Sequence, residues 1–232
     1  APHTWSDESK VGINPFLLTF NDHEKTRENR INFEYFNFDI LITNPPFAGT
    51  IKERNILRLY NLAERKGKLV KKIGRHILFL ERAIKFIRPG GRLAIVLPRG
   101  LVNSPTSEYI RKYVIKEARI LGVIDLHENT FKPHTGTKTS ILFLQKYLDE
   151  EKESISDINF DDDEISLNYN IFFGVNEAPI KDSSGNYNYK RDPNGQIILD
   201  IHGHPVMDND LPEIRDAFIQ FVKDEDLDFW RN

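Results

Sequence analysis

The chain has 232 residues, 39% hydrophobic and 29% charged, with a formal net charge of -3. That is enough for one good-sized domain, or a domain with an appendage. No run of about 18 apolar residues occurs, so no membrane span is expected. Ala1-Pro2-His3-Thr4-Trp5 lacks the basic-then-apolar layout of a signal peptide. The absence of cysteine excludes disulfides, thiolate zinc sites and a thiolate nucleophile, and it fits a cytoplasmic location.

The small net charge hides two blocks. Thirteen Lys/Arg against three acids lie between Lys52 and Arg92, and nine acids against the single Lys152 lie between Asp149 and Glu164. Blocks, not sums, decide what a surface attracts. Residues 1 to 37 are the least readable. Trp5, Val11, Ile13, Phe16, Leu17, Leu18 and Phe20 are available for packing but follow no clean period, and Asn21 to Arg30 reads as a charged loop.

Phe38-Asp39-Ile40-Leu41-Ile42 is an apolar, β-branched run, read as a central strand covered on both faces. Thr43-Asn44-Pro45-Pro46-Phe47 ends it, because two prolines cannot donate to a ladder. Proline also keeps the preceding residue out of the helical region, so Asn44 and Pro45 should be extended. A carboxamide and a free carbonyl then stand at the carboxyl end of a strand, where α/β proteins bind ligands, with an aromatic ring close behind. The set suits an exocyclic amine on a flat ring.

Further along, Ile56, Leu57, Leu59, Tyr60 and Leu62 suggest a short helix, and Arg65 to Lys72 reads as a mobile basic loop. Its lysines Lys68, Lys71 and Lys72 are candidates for phosphate contacts, which strengthen nucleic-acid binding without reading sequence. Ile77, Leu80, Ile84 and Ile87 predict a helix over 77–88, stopped by Pro89-Gly90-Gly91. Arg92 to Leu97 is the next strand, so a βαβ crossover and a parallel sheet are implied. Asn103 or Ser104 should cap a helix with Pro105 in its first turn and Ile110, Tyr113, Val114 and Ala118 inward. Ile120–Leu126 and Thr139–Leu144 are two more strands, separated by about a dozen residues without a helix signal, which favours an antiparallel hairpin.

Asp149 to Glu164 reads as a solvated acidic linker. Tyr169 to Phe173 is a short strand, Tyr187–Arg191 and Gln196–Ile201 flank a turn at Asp192-Pro193-Asn194-Gly195, and no internal repeat is evident. His202 and His204 lack a third ligand at sensible spacing, so no metal site is expected. Asp210-Leu211-Pro212-Glu213 resembles a capping box opening a helix with the stripe Ile214, Ala217, Phe218, Phe221 and Val222.

Asn44-Pro45-Pro46-Phe47 matches the catalytic motif of the amino-methyltransferases that act on adenine N6 in DNA. The chain around it resembles the modification subunit of type I restriction-modification systems, well over Phe38 to Lys146 and loosely beyond. The resemblance implies the carboxyl-terminal half of a Rossmann-like S-adenosylmethionine-dependent methyltransferase sheet, mainly parallel with its last strand antiparallel, and a small α+β tail. Residues 1-148 would be the partial catalytic domain, and 149-232 a linker, hairpin and helix packed on it.

Asn44, Pro45, Pro46 and Phe47 would be catalytic, with Asn44 also touching the edge of the cofactor site. Phe131, Thr137 and Lys138 match a family loop that lies against the target base. Double-stranded DNA and the specificity and restriction subunits are the implied partners. A missing thiolate also argues against methylation at cytosine carbon-5, which is known to need one. No Gly-x-Gly turn for the cofactor occurs, so the chain is expected to be a fragment, inactive by itself. Other readings are methylation of a protein glutamine or an RNA amine, or a non-catalytic DNA-binding or assembly piece.

Overall fold

The computed structural model describes residues 37–156 and 167–227. Expectations for residues 1–36, for the second half of the acidic segment and for Phe229 lie outside the described residues. The apolar runs pair into one sheet of β1 (Phe38–Thr43), β2 (Ile87–Pro98), β3 (Ala118–Asp125), β4 (Thr139–Lys146) and β5 (Phe172–Val175), in the order β1-β2-β4-β3-β5. β1 pairs with β2 and β3 with β5 in parallel, while β4 is antiparallel to both neighbours. Four strands therefore run one way and β4 runs against them. The link from β3 to β4 contains no helix and is folded into tight turns, which suits a hairpin reversal rather than a crossover. β5, expected slightly earlier in the tail, joins this same sheet.

Helix α1 (Arg75–Phe86) connects β1 to β2, and α2 (Glu108–Glu117) connects β2 to β3. Leu78, Ile84, Ile110 and Val114 pack with Leu93, Ile95, Leu97 and Leu144 in one core. On the opposite face, helix α4 (Leu211–Asp224) lays Phe218 against Phe143 and Phe172, with ring centroids 5.1 and 5.2 Å apart. Its apolar stripe, an amphipathic helix face, is turned to the sheet at these rings. Between α4 and β1 an apolar cleft of about 650 Å³ runs over Ile40, Ile42 and Ala94. It lies on the face of the sheet, below the strand ends that carry polar groups.

Several local expectations are corrected. β1 is not covered on both faces: it is the sheet edge among the described residues, and Ile42 is 79% exposed. Alternate residues of a strand face opposite ways, so Leu41 meets the core while Ile40 and Ile42 do not. The α1 helix ends at Phe86, and Pro89-Gly90-Gly91 belongs to β2. A Cβ on Gly91 would lie 2.8 Å from the Arg88 carbonyl and 2.9 Å from that of Phe38, so only glycine lets the two backbones approach there.

Neither Asn103 nor Ser104 caps α2. A single turn at Arg99–Asn103 and a 3₁₀ turn at Pro105–Ser107 precede it, and the Ser104 hydroxyl bonds Thr106 instead. The start of the acidic segment is helical, as α3 (Asp149–Ser156); acidic residues in its first turn suit the positive end of the helix dipole.

The tail also contains a repeat. At Asp182, Asp192 and Asp200 the same turn recurs: the carboxylate accepts the N–H groups two and four residues on, and a positive-φ glycine follows at Gly185, Gly195 and Gly203. Unequal spacing and dissimilar flanking residues hide it from the eye. Its shared physics is the Asx turn closed by glycine. Among the described residues no group of three His, Cys, Asp or Glu side chains is placed to hold a metal, and no helix is long and apolar enough to cross a membrane.

One buried charge fixes the segment between β1 and α1. Glu81 is fully buried on α1 and accepts the N–H groups of Asn61 (2.9 Å) and Leu62 (2.8 Å) and the Lys85 ammonium (2.6 Å). Next to it, Arg65 to Lys72, expected to be a mobile loop, is instead structured. Glu64–Arg65 pairs with Lys68–Leu69 in a hairpin turning at Lys66 and Gly67, both at positive φ. The Arg65 guanidinium sits 3.9 Å over the Tyr109 ring, so a cation–π contact docks the hairpin on α2.

Candidate active site at the strand ends

Because four strands run the same way, their carboxyl ends share one edge of the sheet, and loops beyond such an edge commonly build sites. Thr43 pairs with Ile95, and Pro98 with Thr139. The ends of β1 and β2 therefore stand side by side, next to the start of β4. Asn44 is exposed and Pro45 buried. Neither the Asn44 carboxamide nor the Pro45 carbonyl has a hydrogen-bond partner among the described residues. Prolines end the ladder there, so the two acceptors stay open.

The segment after them is clamped. Thr50–Ile51 pairs with Ile73–Gly74, and the Arg75 N–H donates to the Gly49 carbonyl at 3.1 Å. His76 lies behind Phe47. Burial holds its imidazole below the ordinary value of 6.5, against a smaller effect of a backbone hydrogen bond to Phe47. A Cβ on Gly74 would fall 2.6 Å from the His76 ring, so glycine gives the ring its place.

Phe47 meets Phe131 edge to face, with ring centroids 5.6 Å apart and planes at 74°. Phe131 comes from the loop between β3 and β4, which is a chain of tight turns: Thr130 donates to the His127 carbonyl through both N–H and hydroxyl, and Lys132 donates to that of Asn129. The Lys132–Pro133 peptide is cis. The first tail turn supports this loop from behind. Lys181 donates to the Lys132 carbonyl at 3.0 Å, and a Cβ on Gly185 would lie 2.7 Å from Pro133.

The expected site residues thus fall into three places. Asn44, Pro45, Pro46, Phe47 and Phe131 come together. Thr137 and Lys138 close the Phe131 loop, with Thr137 bonded to Thr135 and Lys138 paired to Glu128 at 3.2 Å. Lys68, Lys71 and Lys72 are exposed on the docked hairpin and the turn after it. Sequence reasoning missed a further group at the same edge: Arg99, whose Nε lies 3.1 Å from the Asp125 carboxylate, which in turn accepts the Ser140 hydroxyl at 2.9 Å. A cation immediately after the proline that ends a strand was the available signal.

Asn176 and Asp210 tie the tail to this edge. The Asn176 oxygen accepts the His127 N–H at 3.2 Å, and its amide donates to the Asp210 carboxylate, which also accepts the N–H groups of Glu177 and Ala178. Asp210 makes no side-chain bond to its own helix, so the expected capping box is replaced by this longer-range capture. Partial burial pushes the Asp210 carboxyl up, but the Ala178, Asn176 and Glu177 donors outweigh it and leave it below the ordinary 3.8. A depressed folded value means stability that is complete above the unfolded value and is lost as pH falls through the folded one. Asp210→Asn should lower the melting temperature at neutral pH, and the difference from the parent should vanish in acid below that window; melts across pH check it.

A mixed α/β sheet with one reversed strand, bearing Asn-Pro-Pro-Phe at a strand end beside a second aromatic ring, has the architecture of the amino-methyltransferase class. Residues 17–193 match the N-6 DNA Methylase family, and the chain belongs to it. It is 32% identical over 128 residues to the type I restriction enzyme EcoEI methylase subunit of Escherichia coli, covering 53% of this chain and 24% of that protein. It is 25% identical over 141 residues to the type II restriction enzyme and methyltransferase RM.Eco57I of Escherichia coli, covering 60% of this chain and 13% of that protein. The crystal structure of the type I restriction-modification system methyltransferase subunit from Streptococcus thermophilus is similar at TM-score 0.49 and 21% identity, over 80% of this chain and 32% of that one. This chain thus spans about a quarter or less of the length of these two curated relatives.

Proposed function

We propose that this chain carries the catalytic edge of a site-specific DNA methyltransferase acting on adenine N6, as part of a type I modification subunit. The observation that carries the reading is the pair of acceptors, Asn44 and Pro45, without partners among the described residues, beside the Phe47–Phe131 pair. The adenine amine is a poor nucleophile because its lone pair is delocalised into the ring. If the Asn44 oxygen and the Pro45 carbonyl each accept one N6 hydrogen, the nitrogen is held with its lone pair free to attack. Positioning and charge stabilisation of this kind are commonly worth about 10²–10³-fold per group. The base must leave the duplex to reach these atoms. Phe47 then stacks on it, contributing roughly 1–3 kcal/mol, with Phe131, which packs edge to face on Phe47, bordering the same pocket.

S-adenosylmethionine, when bound, supplies the electrophilic methyl group. The described residues fit one edge of its site, where the open Asn44 carboxamide stands at the end of the exposed strand β1. Thr137 and Lys138 would face the substrate from the Phe131 loop. Lys68, Lys71 and Lys72 would contact phosphates from the docked hairpin. Duplex DNA, a specificity subunit and a restriction subunit are the proposed partners, in the cytoplasm.

Labelled S-adenosylmethionine offered to the full-length protein with DNA, RNA and protein acceptors tests the reading. Label recovered as N6-methyladenine in DNA is expected. Label on glutamine or on RNA, with none in DNA, overturns it.

A further inference from the structure

We propose that Arg99 is a phosphate-binding residue at the catalytic edge, aimed by Asp125 and Ser140 at the backbone of the extruded nucleotide. The proposal rests on the DNA reading above and adds a contact to it. β2 lies between β1 and the β4–β3 pair. Phe131 belongs to the β3–β4 loop and yet reaches Phe47 beyond β1, so that loop passes over the end of β2. Arg99 is the first residue beyond that end, and its N–H donates to the Lys138 carbonyl, where the loop returns, at 2.9 Å. The residue therefore stands at the foot of the aromatic pair.

Its guanidinium is held on one side only. Nε faces the Asp125 carboxylate at 3.1 Å, and the Ser140 hydroxyl fixes that carboxylate from its other oxygen at 2.9 Å. Both terminal nitrogens lack a partner among the described residues, and the side chain is 45% exposed. An exposed pair of this kind contributes little to stability. What it does achieve is orientation: a fork fixed at Nε presents its two terminal N–H groups outward in the geometry that matches two phosphate oxygens. A flipped nucleotide turns about its own backbone, so a site that receives the base lies close to the flanking phosphates, and contacts to phosphate set position without reading sequence. Lys138, the neighbouring cation, is engaged with Glu128.

Binding of the full-length protein to a short mixed-sequence DNA duplex, measured over a range of salt concentrations, tests this. Each phosphate contact contributes about 0.9 to the slope of log affinity against log salt. Arg99→Ala should lose about that much slope. Arg99→Gln, which removes the charge at a half-exposed position but keeps a long polar side chain, should melt like the parent and lose the same amount, so a folding defect in the alanine variant leaves the test intact. Arg99→Lys should keep the slope and bind several-fold more weakly, because one ammonium cannot replace a fork. A parental slope in Arg99→Gln, or a reduced one in Arg99→Lys, overturns the proposal. The slope is read without methyl transfer, so failure here and failure of the acceptor assay are separate results.

Discussion

Asn44→Ala should abolish methylation while leaving DNA affinity close to that of the parent. The carboxamide is exposed at the end of β1 and has no hydrogen-bond partner among the described residues, so its removal breaks nothing in the fold. What disappears is one of two acceptors for the N6 hydrogens, and losses of about 10²–10³-fold accompany removal of a single such group. The effect should fall on the rate constant, because the stacking on Phe47 remains to hold the base. Asn44→Asp, of nearly the same shape and still an acceptor, should lie between the two. Single-turnover methylation alongside duplex binding measures both quantities. A parental rate in Asn44→Ala would remove the chemical basis of the assignment.

The second large effect is on stability. Glu81→Ala strips the acceptor from two backbone N–H groups, at Asn61 and Leu62, and leaves the Lys85 ammonium without its partner. Removing one member of a buried, hydrogen-bonded charge set costs about 3–5 kcal/mol. For a chain of this size that is roughly a 6–20 °C fall in melting temperature. Glu81→Gln, which keeps an acceptor oxygen, should lose less. The loss should be local before it is global: amide exchange should rise first between residues 58 and 72. That segment carries the docked basic hairpin, so DNA affinity should fall with it. An alanine variant that melts with the parent would mean that the carboxylate does not hold this segment.

The main corrections to the sequence reading have two causes. Where a local pattern was strong but its neighbours were unknown, the element was found and its surroundings were not. Phe38–Ile42 is a strand, as its β-branched run requires, yet it sits at the sheet edge because a period-2 or continuous apolar pattern reports affinity for a sheet, not how many partners are present. Arg65–Lys72 reads as mobile because charge dominates it, but its backbone pairing and the distant Tyr109 ring hold it, next to a stretch that the Glu81 carboxylate anchors at Asn61 and Leu62. In the second group, a side chain with a local use available took a distant one. Asp210 captures Asn176, Glu177 and Ala178, because tertiary donors outcompete the first turn of a helix; Ser104 instead pairs with Thr106, two residues on, in the turn before α2.

The sequence alone determined the strand ending in Asn44-Pro45-Pro46-Phe47, the βαβ crossover after it and the reversal of β4. Those are consequences of proline geometry, residue spacing and link length, all of which are local. Only the tertiary structure decided that Phe131 crosses the sheet edge to Phe47, that Lys181 and Gly185 brace its loop, and that Asp125 aims Arg99. Each of these joins residues brought together by strand order, and strand order is set by the packing of the whole sheet, which no short stretch of chain encodes.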